Sequence, residues 1–125
     1  MRIIGVGVDL ADIRRVGDVL EKYPRFAQRC FTEHEQDYAF RFANPARRLA
    51  ARFAGKEAVM KSMGTGWRRI RWTDVEITGG GKPTVNVYGT AAARAAMIGV
   101  VAFEVSITHT DDQAMVFAIA MGEHP

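Results

Sequence analysis

Residues 3–10, Ile3-Ile4-Gly5-Val6-Gly7-Val8-Asp9-Leu10, form a continuous apolar, β-branched run cut by two glycines. That pattern predicts a buried strand with a close backbone approach, and it ends on a carboxylate, Asp9. The period then becomes helical: over residues 11–22, Ile13, Val16, Val19 and Leu20 share one side, leaving Arg14, Arg15, Asp18 and Lys22 off the stripe. Tyr23-Pro24 breaks this helix, and residues 25–30 form a short second one. Thr32 and Glu35 have the T-x-x-E spacing of a capping box, which predicts a helix running to about Phe42. Asn44-Pro45 interrupts it, and a long helix follows to about Met63, with proline suited to its first turn. Leu49, Phe53, Met60 and Met63 fall on one arc of that helix. Lys56 intrudes on the same arc, and a lysine on the inner side needs a counter-charge.

After Gly66 the pattern alternates with period two. Residues 71–78 and 83–88 read as a β-hairpin around the loop Gly79-Gly80-Gly81-Lys82. Thr90 begins an alanine-rich helix that ends near Gly99, and residues 103–110 and 114–120 read as two strands around Asp111-Asp112-Gln113. The order βαααββαββ implies an α+β fold, a largely antiparallel sheet with a long central helix. No repeat, low-complexity segment or linker divides the chain, so a single domain spanning 1–125 is expected.

At 125 residues the chain is long enough for a real core but too short for separate catalytic and substrate domains, so any larger site needs a second subunit for its walls. Hydrophobic residues at 48% and charged residues at 25% are ordinary for a soluble globular protein, and no apolar run approaches a membrane span. The apolar stretch at the N-terminus is too short for a signal peptide, so a cytoplasmic location and no membrane partner are expected. The single cysteine, Cys30, lies near Phe26 and Phe31 and reads as a core residue. The net charge of +3 favours an acidic partner or a polyphosphate ligand. Nucleic acid is not the expected partner. The pairs Arg14-Arg15, Arg47-Arg48 and Arg68-Arg69 sit in different elements, without a helix-turn-helix, zinc-ligand or RNA-binding signature.

Candidate chemistry gathers on Arg52-Phe53-Ala54-Gly55-Lys56-Glu57-Ala58-Val59-Met60-Lys61, followed by Gly64-Thr65-Gly66. Glu57 and Lys61 stand four apart on one helix face, a spacing that also suits an ordinary solvated ion pair. Their company points further. Arg52 and Lys56 form a second column, and a glycine turn with a hydroxyl follows. One carboxylate among several cations beside exposed backbone N–H groups suits a metal-bridged phosphate, given a second carboxylate elsewhere. Asp9 can be that carboxylate, although Asp9 or Asp12 could equally cap the next helix. His34 reads as an exposed first-turn histidine, with no second ligand at metal spacing. Gly55-Lys56 is not a P-loop, because Ala50 stands where the first glycine belongs and Glu57 where a hydroxyl belongs. Residues 5–10 are not a dinucleotide fingerprint, and no serine sits in a nucleophile elbow. Asp9 and Glu57 with Lys56, Lys61, the Gly-Thr-Gly turn and a strand-end His109 suit Mg²⁺, which completes its shell with phosphate oxygens and water.

Four segments in order, Gly5-Val6-Gly7-Val8-Asp9, Phe31-Thr32-Glu33-His34-Glu35, the run from Arg52 to Lys61 with Gly64-Thr65-Gly66, and Val105-Ser106-Ile107-Thr108-His109-Thr110, resemble the holo-acyl-carrier-protein synthases, the small 4′-phosphopantetheinyl transferases. The resemblance covers nearly the whole chain. Its departures are Gly55, where alanine is expected, and Thr108, where serine is expected. It implies a homotrimer with active sites between neighbouring subunits. It also implies Mg²⁺-dependent transfer of phosphopantetheine from coenzyme A to a serine of an acidic apo acyl carrier protein, releasing adenosine 3′,5′-bisphosphate. By matching position, Asp9 and Glu57 would hold Mg²⁺ and Lys61 would neutralise the leaving phosphate. Arg52, Lys56, Lys61, Gly64, Thr65, Gly66 and His109 would contact coenzyme A, and Arg14 and Arg15 would dock the carrier. The general base stays open among Glu57, Asp9 through a water, and a metal-bound hydroxide. Residue chemistry alone also admits a Mg²⁺-dependent hydrolase of nucleotide pyrophosphates, or a non-catalytic trimer binding coenzyme A or a carrier. Whether the carrier serves fatty-acid or polyketide synthesis is not written in these residues.

Overall fold

The computed structural model describes residues 1–124, and its elements follow in the order β1 (Arg2–Asp12), α1 (Ile13–Lys22), α2 (Phe26–Cys30), α3 (Glu33–Ala39), α4 (Pro45–Ser62), β2 (Val75–Thr78), β3 (Thr84–Val87), α5 (Gly89–Ile98), β4 (Ala102–His109) and β5 (Gln113–Gly122). The short helix expected over residues 25–30 is present as Phe26–Cys30, which makes four helices before the hairpin, one more than the order βαααββαββ counts. The strands form two antiparallel sheets: β1-β5-β4 and the β2-β3 hairpin. This is the α+β arrangement that the alternation of periods predicts, with α4 packed against both sheets.

α4 is the centre of the core. Leu49, Ala50, Ala54, Ala58 and Val59 are completely buried and Met60 nearly so, because the helix has sheet or helix on most of its circumference. Its closest neighbour is β1. A Cβ placed on Gly7 would lie 2.1 Å from the Ala58 carbonyl oxygen, and one on Gly5 would lie 2.1 Å from that of Ser62. Only glycine lets the two backbones approach so closely, and the two glycines in the first strand do that. At Gly55, where the family pattern has alanine, a Cβ would press on Ile77 Cγ1 at 3.2 Å.

The strand is not buried on both sides. Gly7, Asp9 and Ala11 face α4, whereas Val6, Val8 and Leu10 are 54%, 49% and 48% exposed on the other face. Met115 and Phe117 continue that exposed face on β5, opposite Leu10 and Val8. A β-branched run without polar alternation conceals which side meets solvent, since the outward positions are as apolar as core positions would be.

Local chemistry explains the remaining boundaries. Asp12 caps α1 by accepting from the Arg15 amide at 2.9 Å, so the strand runs to Asp12 and Asp9 is left uncommitted. Thr32 and Glu35 form the capping box of α3, which stops at Ala39 rather than Phe42. Trp72–Asp74 is a 3₁₀ turn and not strand, because the Asp74 carboxylate accepts from Thr90 N at 2.8 Å and from Thr90 Oγ1 at 2.6 Å at the start of α5. Cys30 is buried and His34 exposed, as expected. No helix among the described residues is long and apolar enough to cross a membrane.

Candidate active site

The close contact of β1 with α4 fixes the first part of the site. Two residues beyond Gly7, Asp9 comes beside the α4 face that carries Glu57 and Lys61. Lys61 Nζ lies 3.1 Å from Asp9 Oδ1 and donates to the Val8 carbonyl at 3.3 Å. Glu57 faces the same carboxylate. Burial first, then a hydrogen bond to Asp9 and its negative charge, push the Glu57 carboxyl up to about 7, with Lys61 acting in the opposite sense. Both carboxylates line a cleft of about 520 Å³ whose rim carries Arg15. Two acids pressed together, with one lysine to share, are short of positive charge.

That shortage is the test for a metal. Among the described residues no group of three or more His, Cys, Asp and Glu side chains comes together, so a closed protein cage is excluded there. A pair of carboxylates is what Mg²⁺ takes when substrate phosphates and water fill the rest of its octahedron. Asp9 and Glu57 fit such an ion.

Other expected site residues lie in separate clefts. Arg52 and His109 line a second one, about 470 Å³, with Arg47, Arg48, Lys82 and the Gly79–Gly81 loop. Arg52 is 5% exposed, and burial lowers its guanidinium from the ordinary value. It donates Nη2 to the Gly79 carbonyl at 3.2 Å, while its Nε is buried without a partner. Arg47 Nη2 lies 2.8 Å from both ring nitrogens of His109. Gly64, Thr65 and Gly66 line a third cleft, about 500 Å³, with Arg68, Arg69 and Arg94. Gly64 has φ +70°, a value that favours glycine, and Arg94 donates Nε and Nη2 to the Met63 carbonyl at 3.0 and 2.8 Å. Arg94 closes the end of α4 and was invisible in sequence, being 31 residues away.

Lys56 is a correction. It does not reach a ligand cleft: its side chain is fully buried, with Nζ 2.6 Å from Glu35 Oε1 and donating to the carbonyls of Trp72, at 2.9 Å, and Val75. All three ammonium protons are therefore engaged inside the protein. Burial pulls its ammonium below the ordinary value, and Glu35 opposes that. The counter-charge expected from the helix wheel is Glu35, which also accepts from the amides of Thr32 and Ile77 at 2.9 Å each.

Arg14 and Arg15 are exposed on α1, and Arg15 reaches the rim of the carboxylate cleft. Val19 and Phe26 line that cleft and also a larger groove of about 970 Å³. The groove sets Lys22, Arg25, Arg29 and Arg71 among aromatic walls. These four cations have no common sequence pattern, because they come from α1, the α2 segment and the Trp72 turn.

The fold and the paired carboxylates suit an enzyme of phosphorylated ligands, and similarity to known proteins shows the class. The model of the 4′-phosphopantetheinyl transferase superfamily matches residues 5–118. A holo-[acyl-carrier-protein] synthase of Caldanaerobacter subterraneus is 44% identical over 121 residues, 95% of each chain. The structure of a Plasmodium yoelii acyl carrier protein synthase with ADP bound superposes with a TM-score of 0.90 at 30% identity, covering 98% of each chain. A Bacillus anthracis holo-(acyl-carrier-protein) synthase in complex with coenzyme A (3′,5′-ADP) superposes at 0.79 with 25% identity, over 97% of this chain and 98% of that one. The chain belongs to the 4′-phosphopantetheinyl transferase superfamily. Within it the enzyme is of the holo-[acyl-carrier-protein] synthase type.

Proposed function

We propose that the chain transfers 4′-phosphopantetheine from coenzyme A to a serine hydroxyl of an acidic apo acyl carrier protein, in the cytoplasm, releasing adenosine 3′,5′-bisphosphate. The observation that carries this reading is the Asp9–Glu57 pair with Lys61 3.1 Å from Asp9 at the mouth of a cleft. Asp9 and Glu57 would hold Mg²⁺, which when bound supplies Lewis-acid neutralisation of the pyrophosphate. Lys61, with half its side chain exposed, is free to follow the charge that builds on the departing phosphate. The serine oxygen forms the new bond to phosphorus as the bond to the adenosine bisphosphate breaks, and its proton leaves toward the carboxylates or solvent. In such transfers the protein mainly orients reactants and stabilises charge.

Coenzyme A carries a second anionic group, the ribose 3′-phosphate. The Arg52 cleft, with Arg47, Arg48, His109 and an unpaired buried Nε, is suited to receive it. In the Gly64–Gly66 turn the Gly64 and Thr65 amides are bonded to the Lys61 and Met60 carbonyls, which leaves the Gly66 N–H and the Thr65 hydroxyl to meet the same donor molecule. Arg14 and Arg15, continued by Lys22, Arg25 and Arg29, form a basic surface on which an acidic carrier would bring its serine to the carboxylates.

The assembly we propose is a homotrimer with its sites between subunits. Two facts support it. The outer face of the β1-β5-β4 sheet exposes Ile3, Val6, Val8, Leu10, Met115 and Phe117, a contiguous apolar patch of the kind that marks an interface. The clefts that carry the expected site residues are also separate in a single chain, as they would be if neighbours complete each site.

The test is the intact mass of an apo acyl carrier protein after incubation with the chain, coenzyme A and Mg²⁺. The expected result is a gain of one phosphopantetheine that disappears with EDTA. Coenzyme A cleaved without carrier modification would make the protein a pyrophosphate hydrolase, and intact coenzyme A with binding only would make it a non-catalytic trimer.

A further inference from the structure

Tyr38 in α3 is not among the groups that resemblance or spacing assigns to the site, yet it touches both walls of the second cleft. Its ring lies under the Arg52 guanidinium, 4.5 Å from centroid to Cζ. On the other side it meets Phe42 edge-on at 5.3 Å, and the Phe42 ring in turn carries Arg48 at 3.8 Å. Its hydroxyl abuts the glycine loop: a Cβ added to Gly80 would lie 3.2 Å from that oxygen. Three successive glycines have no side chains of their own to hold a shape, so the surface they rest on sets it.

The geometry separates two uses of one guanidinium. Stacking occupies its face, while hydrogen bonding to a phosphate uses donors in its plane. Arg52 is buried among neighbours with no carboxylate bonded to it, and its Nε in-plane donor is unpaired. A ring beneath the guanidinium fixes the plane in which those donors point and takes none of them. Nη2, meanwhile, ties Arg52 to Gly79 at the head of the loop.

We propose that Tyr38 is a positioning residue for the 3′-phosphate end of the donor, holding the Arg52 guanidinium plane and the Gly79–Gly81 loop in the shape that receives it. The inference rests on the transferase reading above. Tyr38 lines the cleft and in this role acts through Arg52 and the loop, so its removal affects donor binding and leaves the chemical step alone.

The experiment compares coenzyme A with the same molecule lacking its ribose 3′-phosphate as donors in carrier modification. For Tyr38→Leu the expected result is a KM for coenzyme A raised about tenfold, in the range a lost cation–aromatic contact allows. Its kcat should stay within about twofold, and the KM for the shortened donor should hardly move. Tyr38→Phe, which keeps the ring, should restore the preference. Gly80→Ala approaches the contact from the loop, where the new methyl presses on the Tyr38 hydroxyl. It should raise the KM for coenzyme A selectively, and combining it with Tyr38→Phe should relieve that effect. An unchanged KM in Tyr38→Leu, an equal rise for both donors, or a Gly80→Ala effect that persists without the hydroxyl overturns the proposal. Should Tyr38→Leu fail to fold, the Gly80 pair decides alone. A parent chain that modifies no carrier counts against the transferase reading itself, whereas normal transfer with insensitive variants counts only against the positioning role.

Discussion

Two lysines five residues apart on α4 meet carboxylates, and their fates differ. Lys56 and Glu35 are both fully buried, 2.6 Å apart, and every remaining donor and acceptor around them is met by backbone of α3, β2 or the Trp72 turn. Lys61 and Asp9 are 3.1 Å apart with side chains 51% and 18% exposed, and a second carboxylate crowds them. The first pair is saturated and locks four segments together. The second is unsaturated, with charge left over for a ligand. The same two residue types thus build scaffold or chemistry depending on how many partners the surroundings provide.

The comparison breaks most visibly at the buried pair. Lys56→Ala or Glu35→Ala leaves an uncompensated charge in the core and should cost about 3–5 kcal/mol of stability in urea denaturation. A loss below about 1 kcal/mol would show that Lys56 is not the scaffold lysine. At the open pair the outcome should be the reverse. Asp9→Ala or Glu57→Ala should lower carrier modification about a hundred- to thousandfold while stability and assembly stay near those of the parent chain. Full activity in either variant would remove the metal assignment.

The smallest effect sharpens the contrast through pH. Glu57 titrates at an ordinary 4.5 when unfolded and is held at about 7 in the folded, metal-free chain. Folding therefore favours its protonated form. That stabilisation is complete below about 4.5 and disappears as pH rises through 7. Metal-free protein should lose stability over that window, on the order of 1 kcal/mol because the partly exposed carboxyl is screened by solvent. Glu57→Gln should lack this slope when thermal midpoints are compared from pH 5 to 8. A parallel decline in the variant would place the effect elsewhere.

Local rules carried much of this into the sequence. The Thr32–Glu35 box, the helix from Pro45, the break at Tyr23-Pro24 and the close approach at Gly5 and Gly7 are all written within a few neighbouring residues. What is not local was harder to read. The helix wheel marks Lys56 as needing an acid, but that the acid is Glu35, already occupied as a capping residue, depends on how α3 lies against α4. Alternation at 71–74 resembles strand until Asp74 is seen bonding to Thr90, 16 residues on. Asp9 and Glu57 were legible as a pair through chemistry and family pattern. The basic groove of Lys22, Arg25, Arg29 and Arg71 has no sequence signature, because three segments contribute to it.

β1 serves two faces with consecutive residues, and this limits how its length can change. Asp9 points at α4, while Val8 and Leu10 point out of the sheet. Deleting or inserting one residue just before Asp9 would turn the carboxylate outward and send a valine or leucine into the reaction cleft, inverting both surfaces at once. A change of two residues would preserve the alternation and shift only the register. The segment thus has a strict parity in addition to its fixed glycines: an odd-numbered change in length beside Asp9 exchanges its two faces, whereas an even-numbered one keeps each residue type on its own face.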